Sequence, residues 1–108
     1  MLKELAEKYF NFFNDKNIEQ IADLFSKNIT LCDWEIDVSG KEKVLDATKN
    51  IFDNVESIDI NIINIYEYGQ DVIAELNIIL NQKDILFVVD IITFDLRGKI
   101  ASIRAYKR

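Results

Sequence analysis

This chain contains no histidine and a single cysteine, Cys32, so Ser-His and Cys-His nucleophile pairs and the commonest zinc ligands are missing. Any acid–base chemistry must use carboxylates, tyrosine or lysine. The residue that demands explanation is Asp90, in the stretch ILFVVDIITFD, residues 85 to 95. That stretch reads as a β-strand, yet a carboxylate sits in its middle with apolar residues on both sides. An unpaired carboxylate taken out of water costs several kcal/mol or stays protonated. A protonated carboxyl can donate a hydrogen bond, which an ionised one cannot. Such a donor suits proton transfer beside a carbonyl, where a base works at carbon and donors meet the oxygen that develops charge. The plainer alternative is a buried acid paired to a basic or backbone group, although no obvious basic partner stands on its strand.

The elements that must position such a site follow from periodicity. Leu2, Leu5, Ala6, Tyr9, Phe12 and Phe13 recur at three- and four-residue spacings, predicting a helix over residues 2 to 14 with Tyr9 in mid-stripe. A second helix is expected from Asn17, where NIEQ resembles a capping box, with Ile18, Ile21, Ala22 and Phe25 as its apolar face. NITLCDW reads as a short strand. SGKE offers Ser39 and Glu42 as a capping box for a third helix that buries Val44, Ala47, Thr48 and Ile51. From residue 57 the period changes to two, and turn signals at EYGQD, LNQKD and DLRGK separate four strands. Helices followed by strands indicate an α+β fold, with three N-terminal helices packed on one face of a strongly curved, mostly antiparallel sheet. In DVIAELNIIL, Val72, Ala74, Leu76, Ile78 and Leu80 share one face and Ile73, Glu75, Asn77 and Ile79 the other. In the next strand Val88, Asp90, Ile92 and Phe94 oppose Phe87, Val89, Ile91 and Thr93. Both faces are mostly apolar, so one is expected under the helices and the other under a second subunit.

Composition narrows the partners. At 108 residues and 49% apolar content the chain is expected to form a single domain, 1–108, with its own core. A net charge of -6 works against a nucleic-acid surface, whose affinity comes largely from Lys and Arg. No leader-like segment and no unbroken apolar run of about 20 residues is present, so a cytoplasmic protein without membrane contact is expected. Cys32 alternates away from Asp33 and is expected to be a small core residue.

The order helix, helix, strand, helix, curved sheet resembles the nuclear transport factor 2-like superfamily, a cone-shaped α+β barrel, also called cystatin-like, with an internal pocket. FVVDIITFDLRGKIASIRAY resembles the closing strands of the ketosteroid isomerases, and SnoaL-type polyketide cyclases are neighbours in that superfamily. The isomerase site is a tyrosine on the first helix and two aspartates. The resemblance places these at Tyr9 in AEKYFNFFND, Asp33 in NITLCDW and Asp90. It implies Asp33 as the base, with Tyr9 and a neutral Asp90 as donors to the enolate oxygen. Without the resemblance, Tyr9 reads as a packed aromatic and Asp33 as a loop or capping acid.

The same comparison implies a pocket enclosed by Phe13, Trp34, Phe52, Val88 and Phe94. Glu75 and Asn77 stand where limonene epoxide hydrolase carries an Arg and an Asp, and the absent Arg argues against that hydrolysis. Three positions depart from the isomerases: Trp34 replaces a proline, Thr48 a supporting tyrosine and Lys107 a pocket aromatic. These changes, with Glu75 and Asn77 if they point inward, imply a smaller or more polar ligand than a steroid. The expectation is an isomerase, cyclase or dehydratase acting beside a carbonyl, without cofactor or metal, on a small hydrophobic or partly polar ligand, as a homodimer. The competing expectation is a pocket or dimerisation module without catalysis.

Overall fold

The computed structural model describes residues 1–108. Helix α1, Leu2–Asn14, buries Ala6, Tyr9, Phe10 and Phe13, the i, i+3, i+4, i+7 face of a single stripe. The stripe is centred on Phe10, which is 1% exposed, whereas Phe12 is only partly buried. Helix α2, Ile18–Leu24, starts as its sequence predicts, with the Asn17 side chain accepting from Gln20 N at 3.2 Å. It stops sooner, because Phe25 is already extended and opens strand β1, Phe25–Cys32.

A three-residue strand, β2 (Asp37–Ser39), pairs with β1 and was not legible in the sequence. Its presence changes the start of α3, Lys41–Asn54. Ser39 is committed to the β ladder opposite Thr30, so the Ser39–Glu42 box does not form. Gly40 takes the N-cap position at φ +96° without a side-chain cap, a backbone angle that favours glycine. Helix α3 then buries Val44, Thr48 and Phe52, and the Thr48 hydroxyl donates back to Val44 O at 2.8 Å.

Strands β3 (Ile58–Tyr68), β4 (Asp71–Leu80), β5 (Asp84–Phe94) and β6 (Ile100–Lys107) form the antiparallel meander. The sheet order is β2-β1-β6-β5-β4-β3, and β1 runs parallel to β6. Register breaks between Ile62 and Asn64 in β3 and between Thr93 and Phe94 in β5 increase local twist and bend the strands. The result is the expected cone of three helices on a curved sheet, left open between its two edges, β2 and β3. Val72, Ala74, Leu76, Ile92, Ile100 and Ile103 from the inner face join Phe10, Ile21, Ile29 and Val44 in one core. No helix is long and apolar enough to cross a membrane.

Two polar clasps fix the helices to the sheet. The Asn14 side chain accepts from Ile60 N at 2.7 Å and donates to Ile60 O at 3.4 Å, tying the end of α1 to β3. Lys16, at φ +53° between α1 and α2, sends its ammonium to Phe52 O at 3.0 Å, Glu56 O at 3.1 Å and Val55 O. A cation there satisfies carbonyls that the end of α3 would leave unpaired. Lys16→Met should therefore lower unfolding free energy by about 2 kcal/mol, the scale of hydrogen bonds to a charged donor. Urea unfolding checks this, and an unchanged midpoint would show the clasp to be idle.

Candidate active site

A cavity of about 380 Å³ opens between α1, α3 and the inner face of the sheet, at the lower end of the usual range for ligand pockets. Asp90 lies on its floor. Pleating turns Asp90 to the same face as Val88 and Ile92, and its neighbours across the ladder are Ala74 on β4 and Ala105 on β6. Small residues on both sides leave space in front of the carboxyl and bring no positive charge to it. Asp90 is 9% exposed. Burial, and then the charge of Asp33, push its pKa from 3.8 up to about 7, because both effects disfavour a second charge in a dry site.

Tyr9 reaches the cavity from the middle of α1, wedged among Phe10, Phe13 and Phe25 with ring centroids 5.5 to 6.2 Å away. Burial, with the charge of Asp90 as the smaller cause, pushes its hydroxyl far up, so it stays a donor at neutral pH. Neither Tyr9 nor Asp90 owes any of its shift to a hydrogen bond within the chain. Both line the cavity.

Asp33 follows the last residue of β1 and begins a tight turn. Its Oδ1 accepts from Glu35 N and Ile36 N, each at 2.7 Å, and its own N–H donates to Ile36 O at 2.8 Å. The plainer reading of a loop acid thus describes one oxygen, while the residue as a whole also lines the cavity. The turn fixes the carboxylate's direction, which a flexible surface acid would lack.

Of the other residues singled out from sequence, Phe13, Trp34, Val88 and Lys107 line the cavity. Phe52 sits behind the wall, edge-on to Phe13 at 4.8 Å. Phe94 is buried in the core beyond the cavity. Glu75 and Asn77 do not face inward. Leu76 is buried on the inner face, so its two neighbours must point outward. Glu75 accepts from Asn64 Nδ2 at 2.8 Å, and Asn77 Oδ1 is buried without a partner on the outer face. Cys32 is exposed rather than a core residue, because its register with Arg104 puts it on the outer face.

The sequence reading missed the aliphatic wall formed by Ile58, Ile60, Ile78, Leu80 and Leu86. Alternation of Ile58 and Ile60 with Asp59 and Asn61 carried the signal for β3. No group of three or more Cys, Asp or Glu side chains is placed to hold a metal ion.

Residues 6–103 match the SnoaL-like domain family. The chain belongs to that family. Among solved structures it is similar to an NTF2-like protein of unknown function from Cytophaga hutchinsonii, with a TM-score of 0.85 at 16% identity over 100% of this chain and 90% of that one. It is also similar to a candidate SnoaL-like polyketide cyclase from Shewanella denitrificans, with a TM-score of 0.88 at 14% identity over 99% and 90%. A candidate ketosteroid isomerase from Kribbella flavida gives 0.86 at 16% identity over 99% and 77%. No curated protein matches the chain by sequence. At these identities the structural likenesses establish the fold.

The buried acid has a measurable consequence for stability. The folded chain holds the Asp90 proton up to about pH 7, whereas an ordinary aspartate releases it near 3.8. Between those values the native state binds more protons than the unfolded one, so stability falls as pH rises through the window. Asp90→Asn removes the effect. Its stability relative to wild type should grow by about 3 kcal/mol between pH 5 and pH 8, at about 1.4 kcal/mol per unit of pH within the window. Urea unfolding at the two pH values reads this, and parallel behaviour of the two proteins would place the Asp90 carboxyl in water.

Proposed function

We propose that the cavity transfers protons next to a carbonyl group. Asp33 removes a proton from the carbon beside the carbonyl, the C–H electrons form a carbon–carbon double bond, and the carbonyl oxygen takes up negative charge. Tyr9 and the protonated Asp90 donate hydrogen bonds to that oxygen. Return of the proton from Asp33 to another carbon completes an isomerisation, and return to the same carbon gives exchange. A cyclase or dehydratase would use the same enolate. The observation that carries the reading is the pair of buried O–H groups, Tyr9 and Asp90, that face an apolar cavity with no hydrogen bond from the chain supporting their shifted protonation. Donors preorganised in a dry site stabilise an oxyanion without reorganising, at about 10²–10³ in rate per donor.

A nitrophenol is a suitable mimic, because its phenolate resembles the enolate and absorbs visibly. It should bind as the anion, and Tyr9→Phe or Asp90→Leu should weaken it more than about tenfold. Equal affinity in both variants would remove the oxyanion site. Small ketones should exchange α-hydrogen for deuterium in the presence of the protein, and Asp33→Asn should abolish this.

One observation favours a second reading, in which the pocket binds a small hydrophobic molecule without turnover. Thr48 spends its hydroxyl on Val44 O, so no side chain supports the Tyr9 hydroxyl. Phenolate binding without exchange across a broad ketone panel would select that reading.

The proposal includes a homodimer in the cytoplasm, where a lone cysteine is in keeping with a reducing setting. The outer sheet face presents Ile73, Phe87, Val89, Ile91 and Tyr106 at its centre, with Phe87 40% and Tyr106 57% exposed. Acids Asp59, Asp71 and Glu75 lie on the β3 and β4 side, and Arg104 on β6. A two-fold axis along β5 would set each β6 over the partner's β4, joining apolar centres and matching opposite charges. Wild type should sediment as a dimer at micromolar concentration and Val89→Arg as a folded monomer. A monomeric wild type would refute the pairing.

A further inference from the structure

We propose that the natural ligand is a short oxo acid, whose carboxylate is held at the cavity mouth by Lys107 while its carbonyl oxygen lies against Tyr9 and Asp90. This rests on the proton-transfer reading of the same cavity and specifies the substrate class. Lys107 closes β6 and is the one cation among the lining residues. Its ammonium stands 5.3 Å from the centre of the Trp34 ring and forms no salt bridge, the ion pairs of the chain being confined to its amino terminus. A cation over an indole face is attracted to it and keeps its charge available to a second partner. Among the acids of the lining, Asp33 directs Oδ1 to the backbone of Glu35 and Ile36.

The strand register supplies a ruler. Asp90 stands opposite Ala105 and Val88 opposite Lys107, all on the inner face. The two functional positions are therefore two residues apart along neighbouring strands, or about 7 Å. The wall beside this path is apolar, from Val88 and Leu86 to Leu80 and Ile78. A ligand spanning it needs an apolar body between two oxygen-bearing ends. A single negative charge suits the outer end. One lysine shares the lining with two acids besides the protonated Asp90, namely Asp33 and Glu35, and a phosphate dianion would add more repulsion than one cation offsets.

Three phenols test the ruler: 4-hydroxybenzoate, 4-hydroxyphenylacetate and 3-(4-hydroxyphenyl)propanoate, each titrated calorimetrically against its carboxamide. The phenol end takes the place of the enolate. At least one of the two longer acids should bind about tenfold tighter than its amide, the scale of one charge-assisted contact, and Lys107→Met should remove that preference. Equal affinities of acids and amides, or a preference that survives in Lys107→Met, would overturn the assignment. Tyr9→Phe provides the separate control, because it should weaken acids and amides alike. If it weakens neither, the oxyanion site itself fails, whatever the ratio of acid to amide.

Discussion

The organisation of this molecule turns on the cost of enclosing one carboxyl group. Asp90 sits in the inner face of a sheet whose other members at that level are alanine and branched aliphatics. Water is largely excluded and no cation pairs with the carboxyl. The carboxyl responds by keeping its proton to about pH 7. Everything around the cavity is consistent with that response. Tyr9 comes from a helix clamped to β3 by Asn14, Asp33 from a turn stiffened by its own side chain, and the cavity roof from a helix whose end is held by Lys16. A proton donor, a fixed carboxylate and a phenol are thus presented from three rigid elements.

Energetically the arrangement runs against stability. Roughly 4 kcal/mol separates an Asp90 that titrates near 7 from one that titrates at 3.8, a large share of the marginal stability of a small domain. Packing of Phe10, Ile21, Ile29, Ile92 and Ile100, all no more than 1% exposed, offsets that burden. A chain selected for stability alone would place a leucine at position 90. An uncompensated buried acid that lines a cavity is the physical ground on which the proposed site rests.

Much of this was legible in the sequence because it is written in periodicity. The division of β4 into two faces follows from alternation, and the Tyr9 stripe from helical spacing. The same logic fixes Glu75 and Asn77 outward once Leu76 is known to be inside, a choice that alternation alone cannot make because both faces of β4 carry isoleucines. The start of α3 was misread for a different reason. Ser39 and Glu42 satisfy the local rule for a capping box, but pairing of residues 37 to 39 with β1 is a long-range event, and three residues carry no readable period. Cys32 was misplaced because its burial depends on which face of β1 meets the helices. The cavity roof and aliphatic wall depend on the curvature of the sheet, which no short stretch encodes.

The methyl group of Ala105, opposite Asp90 on β6, lines the cavity beside the acid. Proton affinity at this position is governed by exclusion of water, whereas the shape available to a guest is governed by a neighbour on another strand. Descendants of this chain can therefore change what they admit by exchanging one small side chain for another on β6 while the acid itself stays in place on β5.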